Sequence, residues 1–258
     1  MEFETNTAIS TRDKITVYGY DLTEELVGKI NLADMIFLGV KNRKPTENES
    51  IMLNAVMVSI SEHGFTPSSI ATRLTYLGAP EATQAAVAAG LLGAGTVYLG
   101  AMESTAKMLQ EAYSKYKEDT PDIKEIASKI FSEKTSKRLQ IPGFGHPIHR
   151  PVDPRTVKLF SLAEEYGFKG AHIQLLEEVH RLLCEDKGKQ ITLNAAGAVG
   201  AVMSDMEIDW RVVKPIMVAA RAVGLVGHIT EEMKLGRKES VGQRVFDYFD
   251  EHTTYAKF

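Results

Sequence analysis

The sequence is poor in cysteine and carries little surplus charge. Its one cysteine, Cys184, cannot form a disulfide within the chain, and 30 Lys and Arg against 34 Asp and Glu give a net charge of −4. Without a basic excess, nucleic acid is not expected as a partner, and a small anionic ligand stays open.

Long hydrophobic runs and targeting signals are also missing. Each apolar stretch is interrupted before the roughly 18 residues that a membrane helix needs, so we expect no membrane-spanning segment and no membrane partner. Residues 1–5 are acidic and polar, unlike the start of a secretory signal. The chain is therefore expected to be cytoplasmic.

What the sequence does contain is apolar helical patterning. Hydrophobic residues make up 44% of the 258 residues, which is enough for a folded core. Buried helices are predicted where Ala, Val, Leu and Met dominate, at residues 51–60, 82–92 and 212–229. Amphipathic helices are predicted at residues 23–31, 104–117, 121–131, 154–166 and 171–183. A strand pattern is confined to residues 14–20, so the predicted fold class is mostly α with a short N-terminal β hairpin.

Residue types typical of helix ends support these bounds. Thr23, Ser104 and the pair Asp153-Pro154 are typical of helix starts. Gly167 and Gly188 stand where a glycine commonly ends a helix.

The most distinctive segment, residues 135–154, holds four prolines, two glycines and two histidines. In its Gly143-Phe144-Gly145-His146-Pro147 motif the glycines let the backbone approach a ligand, and His146 can carry a proton near neutral pH. Arg155 falls in the first turn of the next predicted helix, where it can bind a carboxylate through two hydrogen bonds. The alternative is a rigid loop with surface charges.

Two further residues are candidates for binding an anion. His63, in Glu62-His63-Gly64, follows a predicted helix and can present its ring to an anion or simply cap that helix. Arg221 has only small apolar neighbours in sequence, so its charge requires either a bound anion or a structural ion pair.

Several common sites are not supported. Gly93-Ala94-Gly95 is not a GxGxxG motif and follows no predicted strand, which disfavours a dinucleotide fold. No CxxC or HExxH occurs, and His146 and His149 lack a third clustered ligand in the sequence, so no metal site is predicted. No GxSxG motif is present either, so the sequence gives no signal for a serine nucleophile.

Taken together, the motifs around His63, the GFGH-to-DPR segment (residues 143–155) and residues 221–224 resemble the citrate synthase superfamily in order and spacing. Residues 18–22 (YGYDL) and 91–103 (LLGAGTVYLGAME) resemble two further family segments. The resemblance extends from about residue 14 to about residue 240.

This resemblance implies coenzyme A thioester chemistry in a mostly α, two-lobed fold, with an active site at the lobe junction that a second subunit completes. The expected large lobe comprises residues 1–103 and 208–258, and the small lobe, residues 104–207, carries the GFGH loop. A homodimer or higher homo-oligomer is implied, and the apolar helices at residues 51–60 and 82–92 suit such an interface.

Two departures from citrate synthase matter. Tyr98 stands where the family has a catalytic histidine, and this replacement, like Gly64, resembles the citryl-CoA lyase module of ATP-citrate lyase. The short chain points to a stand-alone citryl-CoA lyase. Ala196, in Leu193-Asn194-Ala195-Ala196-Gly197, replaces the family's catalytic aspartate. This replacement leaves three alternatives: another group reprotonates the product enolate, the substrate differs, or catalysis is lost. The retained Asn194 and Gly197 favour altered chemistry.

The resemblance also assigns roles to residues. His146 is the candidate base, and His63 is expected to hydrogen-bond the substrate hydroxyl or a carboxylate. Arg155 and Arg221 are expected to bind carboxylates, and Arg237 resembles an arginine that reaches across the family dimer.

The thioester part of the substrate has its own candidate residues. Tyr98, a backbone N–H of residues 95–100, or a water would stabilise the enolate oxygen. Coenzyme A, entering as part of the substrate rather than as a tightly bound cofactor, is expected along residues 139–145, including Gly143 and Gly145. Its phosphates are expected near Lys137, Arg138 and Arg150, for which an ordinary solvated basic face is the alternative.

Four functions remain open. The first is cleavage of citryl-CoA to acetyl-CoA and oxaloacetate, and the second is cleavage of a related 3-hydroxyacyl-CoA such as citramalyl-CoA to acetyl-CoA and pyruvate. The third is a non-catalytic subunit that binds CoA or a dicarboxylate. Citrate synthesis is disfavoured because Tyr98 and Ala196 replace two of its three catalytic groups.

Overall fold

The computed structural model describes residues 4–118, 122–254 and 256, and these are predominantly helical. The strands are β1 (Ala8–Ser10), β2 (Ile15–Val17) and β3 (Tyr20–Asp21), followed by a π-helical turn, Leu22–Leu26. The helices are α1 (Leu32–Lys41), α2 (Glu47–Ser61), α3 (Pro67–Gly78), α4 (Thr83–Leu92), α5 (Gly100–Tyr116), α6 (Ile123–Ser136), α7 (Pro154–Glu165), α8 (Ala171–Lys187), α9 (Ala195–Asp205), α10 (Trp210–Glu239) and α11 (Val241–His252). The predicted mostly α fold with a short N-terminal β segment is confirmed.

Contacts divide the chain into two compact units. Unit 1 comprises residues 1–57 and 102–213, and unit 2 comprises residues 58–101 and 214–258. This division by contact places residues 1–57 with the segment that carries the GFGH loop. The two lobes expected from the family are a different division of the chain, and their bounds stay a prediction.

The predicted N-terminal hairpin is present in unit 1. Strands β2 and β3 pair antiparallel through Val17 and Tyr20. The two residues between them, Tyr18 and Gly19, have φ of +49° and +85°, as two-residue hairpin turns require. Strand β1, which the sequence pattern did not predict, pairs antiparallel with β2.

Three predicted helix bounds need correction. Residues 23–31 form only the π-helical turn, which Asp21 caps and after which Gly28 adopts a φ of +75°. Helix α5 begins at Gly100 rather than at Ser104. Helix α6 begins at Ile123 with Asp122 as its N-cap, while Pro121, its predicted start, lies outside the described residues.

The core of unit 1 is built around α9, a helix that the sequence patterns did not predict. All residues of α9 from Ala195 to Ser204 except Ala196 are buried. Small side chains permit this burial, since a Cβ on Gly200 would lie 2.9 Å from the backbone nitrogen of Ala106 in α5. Helix α9 also packs against α7 and α8.

In unit 2, α3 packs against α4 and α11. Glycine again allows a close approach, because a Cβ on Gly90 of α4 would lie 2.9 Å from the carbonyl oxygen of Ser68 in α3. Helices α1 and α11 are two more elements that the sequence patterns did not predict.

The helices that were predicted to be buried are only partly so in the single chain. In α4 only Ala86 and Gly90 are buried, and Leu92 is 87% exposed. In α2, Val58 is 63% exposed. All-round apolar composition therefore overstated the burial of α2 and α4.

Helix α10 qualifies the expectation about membranes. Contrary to the prediction that every apolar stretch is too short, α10 is by length and composition apolar enough to cross a bilayer. Half of its most apolar stretch is buried within the chain, as in a core helix that passes the same test. The absence of a membrane span stays a prediction.

Candidate active site

The GFGH loop of unit 1 is fixed against the segment that precedes α9. Gly143 and Gly145 have φ of +94° and +84°, a region that favours glycine. The N–H of Gly145 donates to the carbonyl of Thr192 at 2.7 Å, and the N–H of Asn194 donates to the carbonyl of Gly143 at 3.0 Å. The Asn194 side chain adds a bond from Nδ2 to the carbonyl of Gly145 at 2.7 Å. The sequence-predicted loop is therefore backed by a short extended segment.

The same segment begins α9 and places Ala196. Asn194 is the N-cap, and its Oδ1 accepts the N–H of Gly197 at 3.0 Å. Ala196 is the second residue of the helix and is half-buried. The retained Asn194 and Gly197 thus have an evident structural task, which is to hold the GFGH loop and start α9.

His146 is oriented through its Nδ1 atom. This nitrogen accepts backbone N–H groups of Ile148 at 3.1 Å and His149 at 2.8 Å. Because both donors are amides, a neutral His146 ring carries its hydrogen on Nε2. The His149 ring lies against it with centroids 4.4 Å apart. The geometry therefore makes Nε2–H of His146 a hydrogen-bond donor.

Asp153 and Arg155 form a partly buried ion pair at the start of α7. Asp153 caps the helix, and its carboxylate accepts Nε of Arg155 at 3.1 Å and Nη2 at 2.8 Å. It also accepts the N–H of Ala195 at 3.0 Å, which links α7 to α9. Burial alone would raise the pKa of Asp153, but the hydrogen bonds and charge of Arg155 outweigh it, and the pKa is lowered.

This pairing changes how Arg155 can bind a substrate. The Nε–Nη2 edge of its guanidinium is occupied by Asp153, and the side chain is 23% exposed. A bidentate carboxylate must therefore approach the other edge, between Nη1 and Nη2.

The three basic residues predicted near the CoA phosphates are all exposed. Lys137 is the C-cap of α6 and pairs with Glu133 at 2.8 Å, while Arg138 and Arg150 lie in the loop that follows. They are thus accessible to an anion.

In unit 2, His63 lies just after α2 in a tight bend. The Oε1 atom of Glu62 accepts the N–H of His63 at 2.8 Å and the N–H of Gly64 at 2.6 Å. Gly64 has a φ of +70°, and α3 then begins with a capping box at Thr66. Burial would raise the pKa of Glu62, but these amides and His228 outweigh it, so the pKa is lowered.

A buried polar group behind this bend was missed from the sequence. His228 Nε2 lies 3.1 Å from Glu62 Oε2, and Arg73 Nε donates to His228 Nδ1 at 2.9 Å. Arg73 also pairs with Glu231 and Glu232. The one sequence signal was the appearance of polar residues at positions 228, 231 and 232 directly after residues 215–227, in which Arg221 is the single charged residue.

The remaining predicted site residues lie in unit 2. Arg221 is 7% exposed on α10, so its guanidinium is buried as the sequence suggested. Arg237 is exposed and follows Gly236, whose φ of +68° interrupts α10. Tyr98 is 55% exposed in the turn before α5.

The turn that carries Tyr98 narrows the candidates for an enolate donor. The amides of Tyr98, Leu99 and Gly100 all donate to the carbonyl of Gly95, at 3.3, 3.1 and 3.2 Å. These three N–H groups are therefore engaged. Among the predicted donors, the Tyr98 hydroxyl, an amide of residues 95–97 and a water remain.

Comparison with known proteins supports the family that the motifs suggested. Residues 6–240 match the family described as citrate synthase, C-terminal domain. The chain is similar to the citryl-CoA lyase of Hydrogenobacter thermophilus, with 32% identity, a TM-score of 0.85 and coverage of 99% of this chain and 95% of that one. Its fold is also similar to that of Methanothrix soehngenii ATP citrate lyase, at 23% identity and a TM-score of 0.78, over all of this chain and 42% of that one.

Curated citrate synthases are more distant. The Acidithiobacillus ferridurans citrate synthase is 27% identical over 202 residues, which is 75% of this chain and 50% of that protein. The chain thus spans about half the length of the curated citrate synthases that it matches. On the match over residues 6–240, the chain belongs to the citrate synthase C-terminal domain family.

Proposed function

We propose that the protein is a carbon–carbon lyase that cleaves citryl-CoA to acetyl-CoA and oxaloacetate. The observation that carries this proposal is the 32% identity to a citryl-CoA lyase over nearly the full length of both chains. The coarser conclusion, an enzyme of the citrate synthase family, rests on the family match and on the same structural neighbour.

The proposed reaction is a retro-aldol cleavage. The tertiary hydroxyl of citryl-CoA loses its proton and becomes the ketone of oxaloacetate. The electrons of the broken carbon–carbon bond form the enolate of acetyl-CoA, which then takes a proton at carbon. The protein must therefore accept one proton, supply one proton and stabilise the enolate oxygen.

In this proposal, Nε2 of His146 contacts the hydroxyl oxygen of the substrate. The base role predicted for His146 requires Nε2 without hydrogen, whereas the two amides at Nδ1 favour the Nε2–H form. We therefore assign His146 as the donor that holds this oxygen. His63, expected on the same hydroxyl, becomes the proton acceptor.

Two arginines bind the substrate carboxylates in this proposal. Arg155 binds a carboxylate through its Nη1–Nη2 edge, because Asp153 occupies the Nε–Nη2 edge. Arg221 supplies a buried positive charge, for which a carboxylate is a suitable counterion. Holding both carboxylates aligns the bond that breaks. Arg237 is kept as a cross-dimer contact to substrate.

The enolate half of the reaction lacks the family's aspartate. Ala196 has no group to transfer a proton, so a water held in the site is the proposed proton source at carbon. The Tyr98 hydroxyl is the proposed donor to the enolate oxygen. The backbone amides of residues 98–100 already donate to the carbonyl of Gly95. CoA binds as part of the substrate, with its phosphates near Lys137, Arg138 and Arg150.

A homodimer or higher oligomer is part of the proposal. Besides Val58 and Leu92, helix α10 exposes Val223, Val226 and Met233, each more than half exposed. Burying such side chains between subunits is favourable. A Val226→Lys variant should shift the assembly toward monomer, as measured by light scattering. A wild-type protein with the mass of a single chain would contradict the proposed oligomer.

Ala196 also favours a second candidate, a related 3-hydroxyacyl-CoA. Purified protein is incubated separately with citryl-CoA and citramalyl-CoA, and acetyl-CoA is followed together with oxaloacetate or pyruvate, with His146→Ala as the control. Cleavage of citryl-CoA that the variant loses supports the proposal, and cleavage of citramalyl-CoA alone favours the second candidate. Binding of both thioesters without turnover would favour a non-catalytic CoA-binding protein.

A further inference from the structure

Behind the bend at His63, unit 2 holds a connected series of polar side chains that ends on the backbone of that bend. It begins at Arg73 of α3, which is only 2% exposed. A buried guanidinium is stable only when paired, and Glu231 and Glu232 of α10 supply the counter-charges. Glu232 is 3% exposed and also accepts the N–H of Gly242 at 3.3 Å. Arg73 is thereby fixed in position.

The position of Arg73 determines the tautomer of His228. Arg73 Nε can only donate, so His228 Nδ1 accepts at 2.9 Å and carries no hydrogen. The ring hydrogen is then on Nε2, which lies 3.1 Å from Glu62 Oε2. The Nε2–H group therefore faces a carboxylate oxygen at ion-pair distance, although this contact does not have hydrogen-bond geometry.

Glu62 connects this series of side chains to the backbone of His63 and Gly64. While Oε2 faces His228, Oε1 accepts the amides of His63 and Gly64. One carboxylate therefore joins a buried histidine to the backbone of the candidate catalytic residue. Glu62 is anchored on one side, so its other oxygen fixes the bend.

Helix packing at this point is unusually close. A Cβ on Gly224 would lie 2.1 Å from the carbonyl oxygen of Ser61 and 2.7 Å from Glu62 Oε2. Gly224 is one helical turn before His228 on α10, so the two residues share a face. The missing side chain at position 224 lets Glu62 reach His228.

We propose that Arg73, His228 and Glu62 are positioning residues that set the backbone conformation of His63 and Gly64. The proposal deepens the proposed function, since it rests on a role for His63 in catalysis. These residues act through His63 and touch no substrate. A role in stability alone would lower the free energy of unfolding without a selective loss of kcat.

The sharpest test uses Glu62→Gln, which changes almost no volume at a side chain that is 44% exposed. Its amide oxygen can still accept the two backbone N–H groups, but its NH₂ then faces His228 Nε2–H, donor against donor. His228→Leu removes that conflict in the double variant. His172→Gln is the matched control, because His172 pairs with Asp205 at 2.9 Å in unit 1, outside the site.

With citryl-CoA as substrate, we expect Glu62→Gln and His228→Leu each to lower kcat by about 100-fold with little change in KM, as misplaced catalytic groups do. The double variant should be no worse than either single variant, which marks coupling. His172→Gln should stay within about twofold of the wild type. Unchanged kcat in folded Glu62→Gln protein would overturn the proposal.

A readout without turnover separates this proposal from the proposed function. Nitrogen-15 NMR of the histidine rings should give His228 as the neutral Nε2–H tautomer, and the amide resonances of His63 and Gly64 should move in His228→Leu. An Nδ1–H or doubly protonated His228 at neutral pH would contradict the series. If wild-type protein fails to cleave citryl-CoA while these signals are as expected, the proposed function fails and the positioning geometry stands.

Discussion

Gly143 and Gly197 meet backbone to backbone, and this contact joins the GFGH loop to the start of α9. A Cβ on Gly143 would lie 2.8 Å from Cα of Gly197, and a Cβ on Gly197 would lie 2.7 Å from the carbonyl oxygen of Gly143. Neither atom belongs to a flexible side chain. The loop therefore has its position only because both residues are glycine.

Gly197→Ala should consequently displace the loop. We expect a loss of about 1–3 kcal/mol in the free energy of unfolding, typical of overpacking, and a fall of about 10- to 100-fold in kcat/KM as His146 moves. Urea unfolding and citryl-CoA kinetics measure the two effects.

Gly227→Ala is the control, since a Cβ there meets nothing within 4 Å and no positive φ is required. It should be neutral or slightly stabilising, because alanine favours a helix over glycine. Equal behaviour of the two variants would refute the contact argument.

Asp153→Asn tests the ion pair at the start of α7. The variant keeps the shape of the side chain. It removes the negative charge that holds Arg155 and offsets the cost of burying its guanidinium. We expect a loss of about 2–4 kcal/mol in stability, less than for a fully buried pair because Arg155 is partly exposed.

Activity should report the same change. Released from Asp153, Arg155 loses its fixed edge, so KM for citryl-CoA should rise more than kcat falls. A stable Asp153→Asn protein with wild-type KM would show that Arg155 does not bind the substrate.

His146→Gln and His146→Ala distinguish a donor from a base. Glutamine places an N–H near the position of Nε2 but cannot accept a proton. If His146 acts as a donor, the glutamine variant should retain kcat within about tenfold of the wild type, whereas the alanine variant should lose about 100-fold or more. Equal loss in both variants would instead support the base role predicted from the sequence.

Much of this site could be predicted from local sequence because the signals are local. The positive φ of Gly143 and Gly145, the Asp153 cap and the place of Arg155 in the first turn of α7 all follow from short-range chemistry. The family resemblance added the roles. The match over residues 6–240 confirmed the family itself.

The rest depends on contacts that a linear pattern does not carry. Helix α9 is buried on nearly every side, so it has no amphipathic period to detect. Arg73 and His228 are 155 residues apart in sequence, and only the packing of α3 and α10 brings them together. The engagement of Arg155 by Asp153 was likewise hidden, because spacing does not say which edge of a guanidinium is occupied.

Stability at low pH should depend on Glu49. Its carboxylate pairs with Arg43 and accepts the N–H of Thr46 at the start of α2. The Arg43 guanidinium lowers the pKa of Glu49 from 4.5 to about 2. Since the folded pKa is lowered, the stabilisation is complete above pH 4.5 and is lost as pH falls toward 2.

Glu49→Gln should therefore be less stable than the wild type by about 1–2 kcal/mol at pH 7, and the two proteins should converge as the pH approaches 2. Thermal unfolding across this range measures the difference. A constant difference in Tm at every pH would contradict the linkage.

The central claim is carbon–carbon cleavage through an enolate. The most direct measurement is the incubation of citryl-CoA with the protein in D₂O, followed by mass spectrometry of the products. Cleavage through an enolate should give oxaloacetate and acetyl-CoA in equal amounts, with one deuterium in the acetyl methyl group. Citrate with free CoA, or unreacted citryl-CoA at high enzyme concentration, would contradict it.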